Sequence, residues 1–541
     1  SLNTSWKLPY STSLPTDTHY TAGVVEFSPY REGNTLLENL ENTVRDYLKI
    51  IGSAKVLPES PDILIFPEST LNNNELATFV PEPEAGIIPC LANESIEYSY
   101  NFLSLISCAA RNTSTYVVIN LSEKELCLNA TQDPRPCAAN GLNIFNTNVV
   151  FDREGRVISR YRKIHLYGES KNTTYLPEFG IFETDFGVRF GHFVCFDLLF
   201  YAPAQEMAHK MGIKDFILTS MWFGQLPFLT GVQIQSSWAY ANNVNLLAAG
   251  ASNPATGSTG TGIYNGNKQH PVTVMNKRQG VRKLYVAKVP KYVDKSNTRV
   301  RRKASKERQA PQPRLSQNDI FLKRDFLDHY ATVLLNFTQG NHLQHRLCYR
   351  ERFCCSFELS FRYFKNVPSN PNSPYYRYRL GAFDGWRGET VNETNRLKNC
   401  AIFSCIGDDI NDCGLLFPGD TLMQPQVAFD RVLIESSFPK APKYLLMPNS
   451  LRENLLPLPL DSFQWNVTER SSVQQVRFLL NTTVDDLLTF SIYGNYYDSL
   501  IEGNGDDAAS SVSISAFLIL KATCALVISM SIVLFLLART V

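Results

Sequence analysis

Three residues stand at the ends of runs that read as β-strands: Glu68 in "FPEST", Lys163 in "SRYRKIHLYGE" and Cys195 in "GHFVCFDLLF". A cysteine thiolate attacks a carbonyl carbon, a carboxylate takes and returns protons, and an ammonium holds a developing oxyanion. Together the three types suffice for hydrolysis of an amide. Each also has a plainer reading. A cysteine on an apolar strand can be inert core, Glu68 can be an acid at a helix start, and Lys163 can be one of several solvated basic residues on an edge strand. His192 lies three residues before Cys195, which raises a cysteine–histidine pair. Residues that far apart on a strand face opposite sides of the sheet, so His192 reads as structural.

The elements around these residues alternate. "NTLLENLENTVRDYLKIIG" repeats apolar residues at helical steps and is predicted to stop at Gly52. Ile63 to Phe66 read as a short buried strand delivering Glu68 to its carboxyl end. "SYNFLSLISCAARN" reads as helix and "STYVVINL" as strand, and two strands flank a turn at Asp152 to Gly155, the second closing at Lys163. "GVRFGHFVCFD", "DFILTS" and "VNLLAAGAS" read as strands, with helices at "PAQEMAHKMG" and "VQIQSSWAYANN". Such alternation predicts an α/β layered domain over about 20–290, whose strand ends gather the site. Residues 291–317 read as a basic linker, in which "RVRR" resembles a dibasic processing site. Residues 318–500, rich in aromatics, cysteines and short alternating runs, read as a mostly β second domain. "GSTGTG" fits neither phosphate-binding pattern and reads as a mobile or substrate-edge loop.

The chain has 541 residues, with 52 Lys and Arg against 51 Asp and Glu, so no global field or basic stripe favours nucleic acid. Of twelve cysteines, Cys348, Cys354, Cys355, Cys400, Cys405 and Cys413 lack zinc-type spacing, which favours disulfides over metal. Cys127 and Cys137 enclose a short loop and form a local disulfide candidate, while spacing leaves Cys90 and Cys108 unassigned. Setting aside Cys195 and the tail residue Cys524 leaves ten cysteines, an even number that permits a free Cys195. Glycan acceptor sequons begin at Asn3, Asn93, Asn112, Asn120, Asn129, Asn172, Asn336, Asn392, Asn466 and Asn481. An apolar run over 514–538 follows the small and polar "EGNGDDAASSVS". That order fits a glycosylphosphatidylinositol signal with Asn504, Gly505 or Asp507 as attachment sites, the alternative being a retained spanning helix.

In chain order and context, the Glu, Lys and Cys motifs resemble the nitrilase superfamily of carbon–nitrogen hydrolases over roughly residues 20–290. "LTSMWFGQLPFLTGVQIQSSWAYANNVNLLAAGAS", "TGTGIY" and the long cysteine-rich extension resemble its vanin and biotinidase branch. The resemblance implies a four-layer α-β-β-α sandwich and an extracellular, lipid-anchored thiol amidohydrolase that needs no cofactor or metal. It casts Glu68 as general base, Lys163 as oxyanion partner and Cys195 as nucleophile, with the Phe196 N–H beside the oxyanion. Glu169 is then a candidate second carboxylate, or else a loop acid beside the Asn172 sequon. Trp222 and Phe223 are candidates for the acyl pocket, or else core. The implied substrate is a small amide, pantetheine first and biotin amides such as biocytin second. The sequence leaves the oligomeric state open, and the competing reading is a silent fold kept for surface binding or adhesion. Against the latter, a buried Lys and Glu without partners would be costly.

Overall fold

Side chains on a strand alternate between its faces, and this alternation sorts the apolar residues of the first half into three layers of core. The computed structural model describes residues 12–92, 102–127, 133, 135–292, 314–315, 319–364, 374–387 and 396–497. One six-stranded sheet runs in the order Arg282–Pro290, His19–Phe27, Ile63–Ile65, Tyr116–Leu126, Leu142–Phe151, Val157–Arg162. A second six-stranded sheet runs Gln269–Val274, Thr261–Asn265, Asn245–Gly250, Asp215–Ser220, Arg189–Val194, Gly180–Glu183. Val25, Leu64, Val117 and Val149 pack with the helices Leu36–Lys55 and Phe102–Thr113. Their neighbours Val24, Ile65, Val118 and Val150 face the other sheet and meet Phe190, Ile217, Leu247 and Ile263. On the far side of the second sheet, Phe193, Phe216, Leu218 and Leu246 pack with Trp238 of the helix Gly231–Asn242. The expected α-β-β-α order follows from these three layers.

The C-terminal region is a second sandwich of two five-stranded sheets, antiparallel throughout its ladders. Its own core lies between the sheets, with Phe357, Ile402, Ile434, Phe478 and Phe490. Alternate residues on the opposite face of one sheet, Ala401, Phe403, Met447 and Tyr493, pack instead into the core that holds Trp238 and Phe193. The helix Gly231–Asn242 therefore lies between two sheets, and every residue from Gly231 to Ala239 is buried. Buried polar groups stitch this junction. Gln233 Nε2 donates to Asn449 Oδ1 at 2.7 Å, and Asn449 Nδ2 donates to the Phe228 carbonyl at 2.9 Å. The described residues all fall within one compact unit, Ser1–Tyr497.

Several sequence expectations change. The first helix runs through Gly52 to Lys55, because its buried face of Val44, Tyr47, Ile51 and Ala54 continues past that position into the core and outweighs the glycine's low helix propensity. Gly257 to Gly262 is buried and does not form a substrate-edge loop. Thr259 Oγ1 donates to the buried Glu26 at 2.6 Å, and a Cβ on Gly260 would stand 3.1 Å from the Gly231 Cα at the start of the central helix. Asn120 is 1% exposed and fully used in hydrogen bonding, so it is not a glycan acceptor in the folded protein. Asn112, Asn172, Asn336, Asn466 and Asn481 are exposed. Asn3, Asn93, Asn129, Asn392, the "RVRR" stretch and the attachment candidates Asn504, Gly505 and Asp507 lie outside the described residues.

The local pair Cys127–Cys137 is a disulfide, as are Cys90–Cys108, Cys348–Cys354, Cys355–Cys400 and Cys405–Cys413. Among the described residues Cys195 is the free cysteine.

Phe403 belongs to the second sandwich, yet its side chain completes the core under the central helix. Phe403→Ala is expected to lower the unfolding free energy by about 3–5 kcal/mol. In urea titrations, tryptophan fluorescence and accessibility of the Cys195 thiol should change in one transition. Two separated transitions would contradict a shared core.

Candidate active site

Glu68 follows the three-residue strand Ile63–Ile65, which is held in parallel between His19–Phe27 and Tyr116–Leu126. Ser69 then turns the chain with a left-handed φ of 53°, and its N–H donates to Asn120 Oδ1 at 2.9 Å. Asn120 Nδ2 donates to Asn146 Oδ1 at 2.7 Å and to Asn148 Oδ1 at 3.0 Å. Asn148 in turn reaches the second sheet, donating to the Phe193 carbonyl at 3.3 Å and accepting from Thr219 Oγ1 at 2.6 Å. The asparagines thus tie the Glu68 turn to the strand that ends at Cys195.

Lys163 continues the edge strand Val157–Arg162 and shares the inward side with Tyr161. The alternate residues Arg160 and Arg162 pair with Glu82, Glu123 and Glu125, which separates Lys163 from the other basic residues of its strand.

Cys195 lies just past the strand Arg189–Val194, where the chain leaves the sheet with φ of 47°, a conformation uncommon for a residue with a side chain. Asp197, fully buried, holds that bend. Its carboxylate accepts from the Val194 N–H at 3.2 Å, Tyr161 Oη at 2.8 Å and the His165 N–H at 3.0 Å, and pairs with His165 Nδ1 at 2.8 Å. His192 is buried with its Nε2 2.7 Å from Ser159 Oγ, and burial pushes its pKa down to about 3. It is a neutral structural group, as its face of the strand implied.

The polar residues converge. Lys163 is 1% exposed, and its Nζ donates to Glu68 Oε1 at 2.9 Å and to Glu169 Oε1. Asn146 Nδ2 bridges the same two carboxylates, at 2.8 Å from Glu68 Oε1 and 2.7 Å from Glu169 Oε2. The Met221 N–H donates to Glu68 Oε2 at 2.6 Å. Burial opposes the Lys163 charge, but the carboxylates of Glu68 and Glu169 outweigh it and hold the ammonium above its ordinary pKa. Burial raises the Cys195 thiol, and so do the Glu68 charge and the hydrogen bond to that carboxylate, while Lys163 and Ser220 pull it down. At rest the arrangement is a neutral thiol against an ion pair, with a proton acceptor already in place.

Cys195 opens into a pocket walled by Tyr167, Phe196, Trp222 and Phe223, into which Arg387 of the second sandwich also reaches. The Tyr167 ring lies 5.1 Å from Phe196 and 6.2 Å from Phe223, and Trp222 Nε1 is anchored on the Leu229 carbonyl at 2.9 Å. Among the described residues no cluster of His, Cys, Asp and Glu is suited to a metal ion.

This fold and site define an enzyme that hydrolyses carbon–nitrogen bonds in linear amides, and residues 39–235 match the family model "Carbon-nitrogen hydrolase". Residues 320–500 match "Vanin C-terminal domain". The chain is 47% identical to Vanin-like protein 1 of Drosophila melanogaster over 90% of its own length and 87% of that protein. It is 30% identical to human pantetheinase over 81% of this chain and 80% of that one, and 30% identical to biotinidase of Takifugu rubripes over 67% and 73%. The chain belongs to the vanin family of carbon–nitrogen hydrolases.

Sequence reasoning placed Glu68, Lys163, Glu169, Cys195, Phe196, Trp222 and Phe223, all of which meet here, and missed Asn146, Asp197 and Tyr167. Asn146 and Asn148 share a strand face with Val150 in "NIFNTNVVF", so polar groups on the face between the sheets were a usable signal. Because the Glu68 charge helps raise the thiol, Glu68→Gln should move the pH midpoint of iodoacetamide labelling of Cys195 downward. An unchanged or raised midpoint would contradict this coupling.

Proposed function

We propose that the protein is an extracellular thiol amidohydrolase acting through Glu68, Lys163 and Cys195. The observation that carries this reading is Lys163 Nζ bonded to both Glu68 and Glu169 beside a free, buried thiol. Glu68 takes the thiol proton and the sulfur attacks the amide carbonyl carbon. The oxyanion meets the Lys163 ammonium and the N–H of Phe196, which sits in the first turn after the strand, where backbone N–H groups have no partner within the turn. As the intermediate collapses, Glu68 gives its proton to the departing amine, leaving a thioester on Cys195. A water molecule then attacks that carbonyl as Glu68 removes its proton. The second oxyanion, held by the same two donors, collapses to the carboxylic acid and expels the sulfur, which regains its proton from Glu68. Asn146 and Glu169 are positioning residues that hold Lys163 and Glu68 in register.

Pantetheine is the proposed substrate, cleaved to pantothenate and cysteamine; biotin amides are the second reading. Resemblance to a pantetheinase over most of the chain supports the first, and a biotinidase match over a smaller share supports the second. Five disulfides and five exposed sequons support an oxidising, extracellular setting, and residues 501–541 have the composition of a lipid-attachment signal.

Cys195→Ala should abolish turnover of a panel containing pantetheine and biocytin, and Lys163→Met should lower kcat at least about 100-fold, the loss of one aimed oxyanion donor. Residual turnover by Cys195→Ala near the wild-type rate would end the thiol mechanism. On cells expressing the full chain, phosphatidylinositol-specific phospholipase should release the enzyme into the medium. Retention on the membrane would favour a spanning helix.

A further inference from the structure

The pocket over Cys195 is not built by the hydrolase half alone. Arg387 follows the last residue of the strand Arg377–Trp386 in the second sandwich, is 7% exposed, and lines the pocket with Cys195, Trp222 and Phe223. Its Nη2 donates to Gln225 Oε1 and lies 3.5 Å from Asp325 Oδ1, and Asp325 is itself 4% exposed. The segment that carries Asp325 is clipped onto the pocket loop. Lys323–Arg324 pair in parallel with Gln225–Leu226, the Lys323 N–H donates to the Gly224 carbonyl at 2.9 Å and the Asp325 N–H to the Leu226 carbonyl at 2.8 Å. Lys323 Nζ donates to the Tyr167 hydroxyl at 2.8 Å, so the same segment also fixes an aromatic wall.

We propose that Arg387 determines acyl specificity by donating a hydrogen bond to an uncharged oxygen, hydroxyl or carbonyl, on the acyl part of the amide that Cys195 cleaves. The inference rests on the role proposed above for Cys195. The acyl group stays on the sulfur through both half-reactions while the amine departs, so a residue in the sulfur's own pocket faces the acyl chain. The surrounding walls are aromatic and offer area without direction, whereas a guanidinium offers several donors in a rigid fork. Asp325 already balances the Arg387 charge. A carboxylate on the substrate would bring surplus negative charge into a buried site, which is costly, and a neutral acceptor would not. A plain hydrocarbon chain would cover the guanidinium and give it no new partner.

The test compares three amides of one amine, cysteamine: pantetheine, whose acyl group carries hydroxyl and carbonyl oxygens, the octanoyl amide, and the suberyl monoamide with a free carboxylate. Wild-type kcat/KM is expected to favour pantetheine over both others by about tenfold or more, as one hydrogen bond to a charged group provides. Arg387→Met should lower kcat/KM for pantetheine by about 10- to 100-fold while leaving the octanoyl amide within about threefold, and Arg387→Lys should recover part of the loss. Equal losses on pantetheine and the octanoyl amide, undiminished pantetheine turnover, or wild-type preference for the suberyl or octanoyl amide would each overturn the proposal. Titration of the Cys195 thiol counts folded sites in each preparation, and the wild-type comparison decides alone if Arg387→Met does not fold. Failure of the thiol mechanism shows separately, as turnover retained by Cys195→Ala.

Discussion

A lysine ammonium almost closed off from water costs several kcal/mol unless opposite charge is held against it, and Lys163 is such a group. Its two carboxylate partners come from different parts of the chain, Glu68 from a turn after a central strand and Glu169 from the loop beyond the edge strand. Two anions beside one another repel, so the ammonium between them and the Asn146 amide across them are mutually required. The Cys195 thiol completes the set as a neutral donor, which keeps the resting charge low until a carbonyl arrives. The register of two sheets, the asparagine ladder and the bend held by Asp197 all serve to keep these few atoms within hydrogen-bonding distance.

The outline of this arrangement was readable because strand alternation and strand ends are local properties of a sequence. Glu68, Lys163 and Cys195 each follow a run that reads as a strand, their resemblance in chain order and context to the nitrilase superfamily joins them into one site, and Cys127 and Cys137 lie close enough in sequence for their pairing to be local. Features that depend on what crosses from elsewhere were hidden. Asn120 satisfies a three-letter acceptor pattern that carries no information about burial, and only the strands around it show that its amide is consumed by Asn146, Asn148 and Ser69. Asp197 looks like a loop acid until Tyr161 and His165 arrive from the other sheet. Arg387 lies almost two hundred positions beyond Cys195, and no periodicity joins it to the pocket. The glycine-rich loop misled for a related reason. Small residues there answer to the close approach of the central helix and not to a ligand.

The division of labour in the pocket follows the chain. The hydrolase half supplies Cys195 and all four aromatic walls, while the later segment supplies Arg387 and, through Lys323, holds the Tyr167 hydroxyl. In the proposed reading, chemistry and acyl recognition fall on different stretches of sequence, which meet around the pocket at residues 224–226 and at Tyr167.

The helix Gly231–Asn242 has sheets on both sides and no face given to water over most of its length. An ordinary surface helix can drift in sequence on its outer side, and this one has no outer side on which to drift. A change at Trp238 or Gln233 must suit strands that arrive more than two hundred residues later as well as those beside it. The two halves of the molecule are therefore bound to a common history along this helix, and any exchange of one half for a relative's would have to bring the matching helix with it.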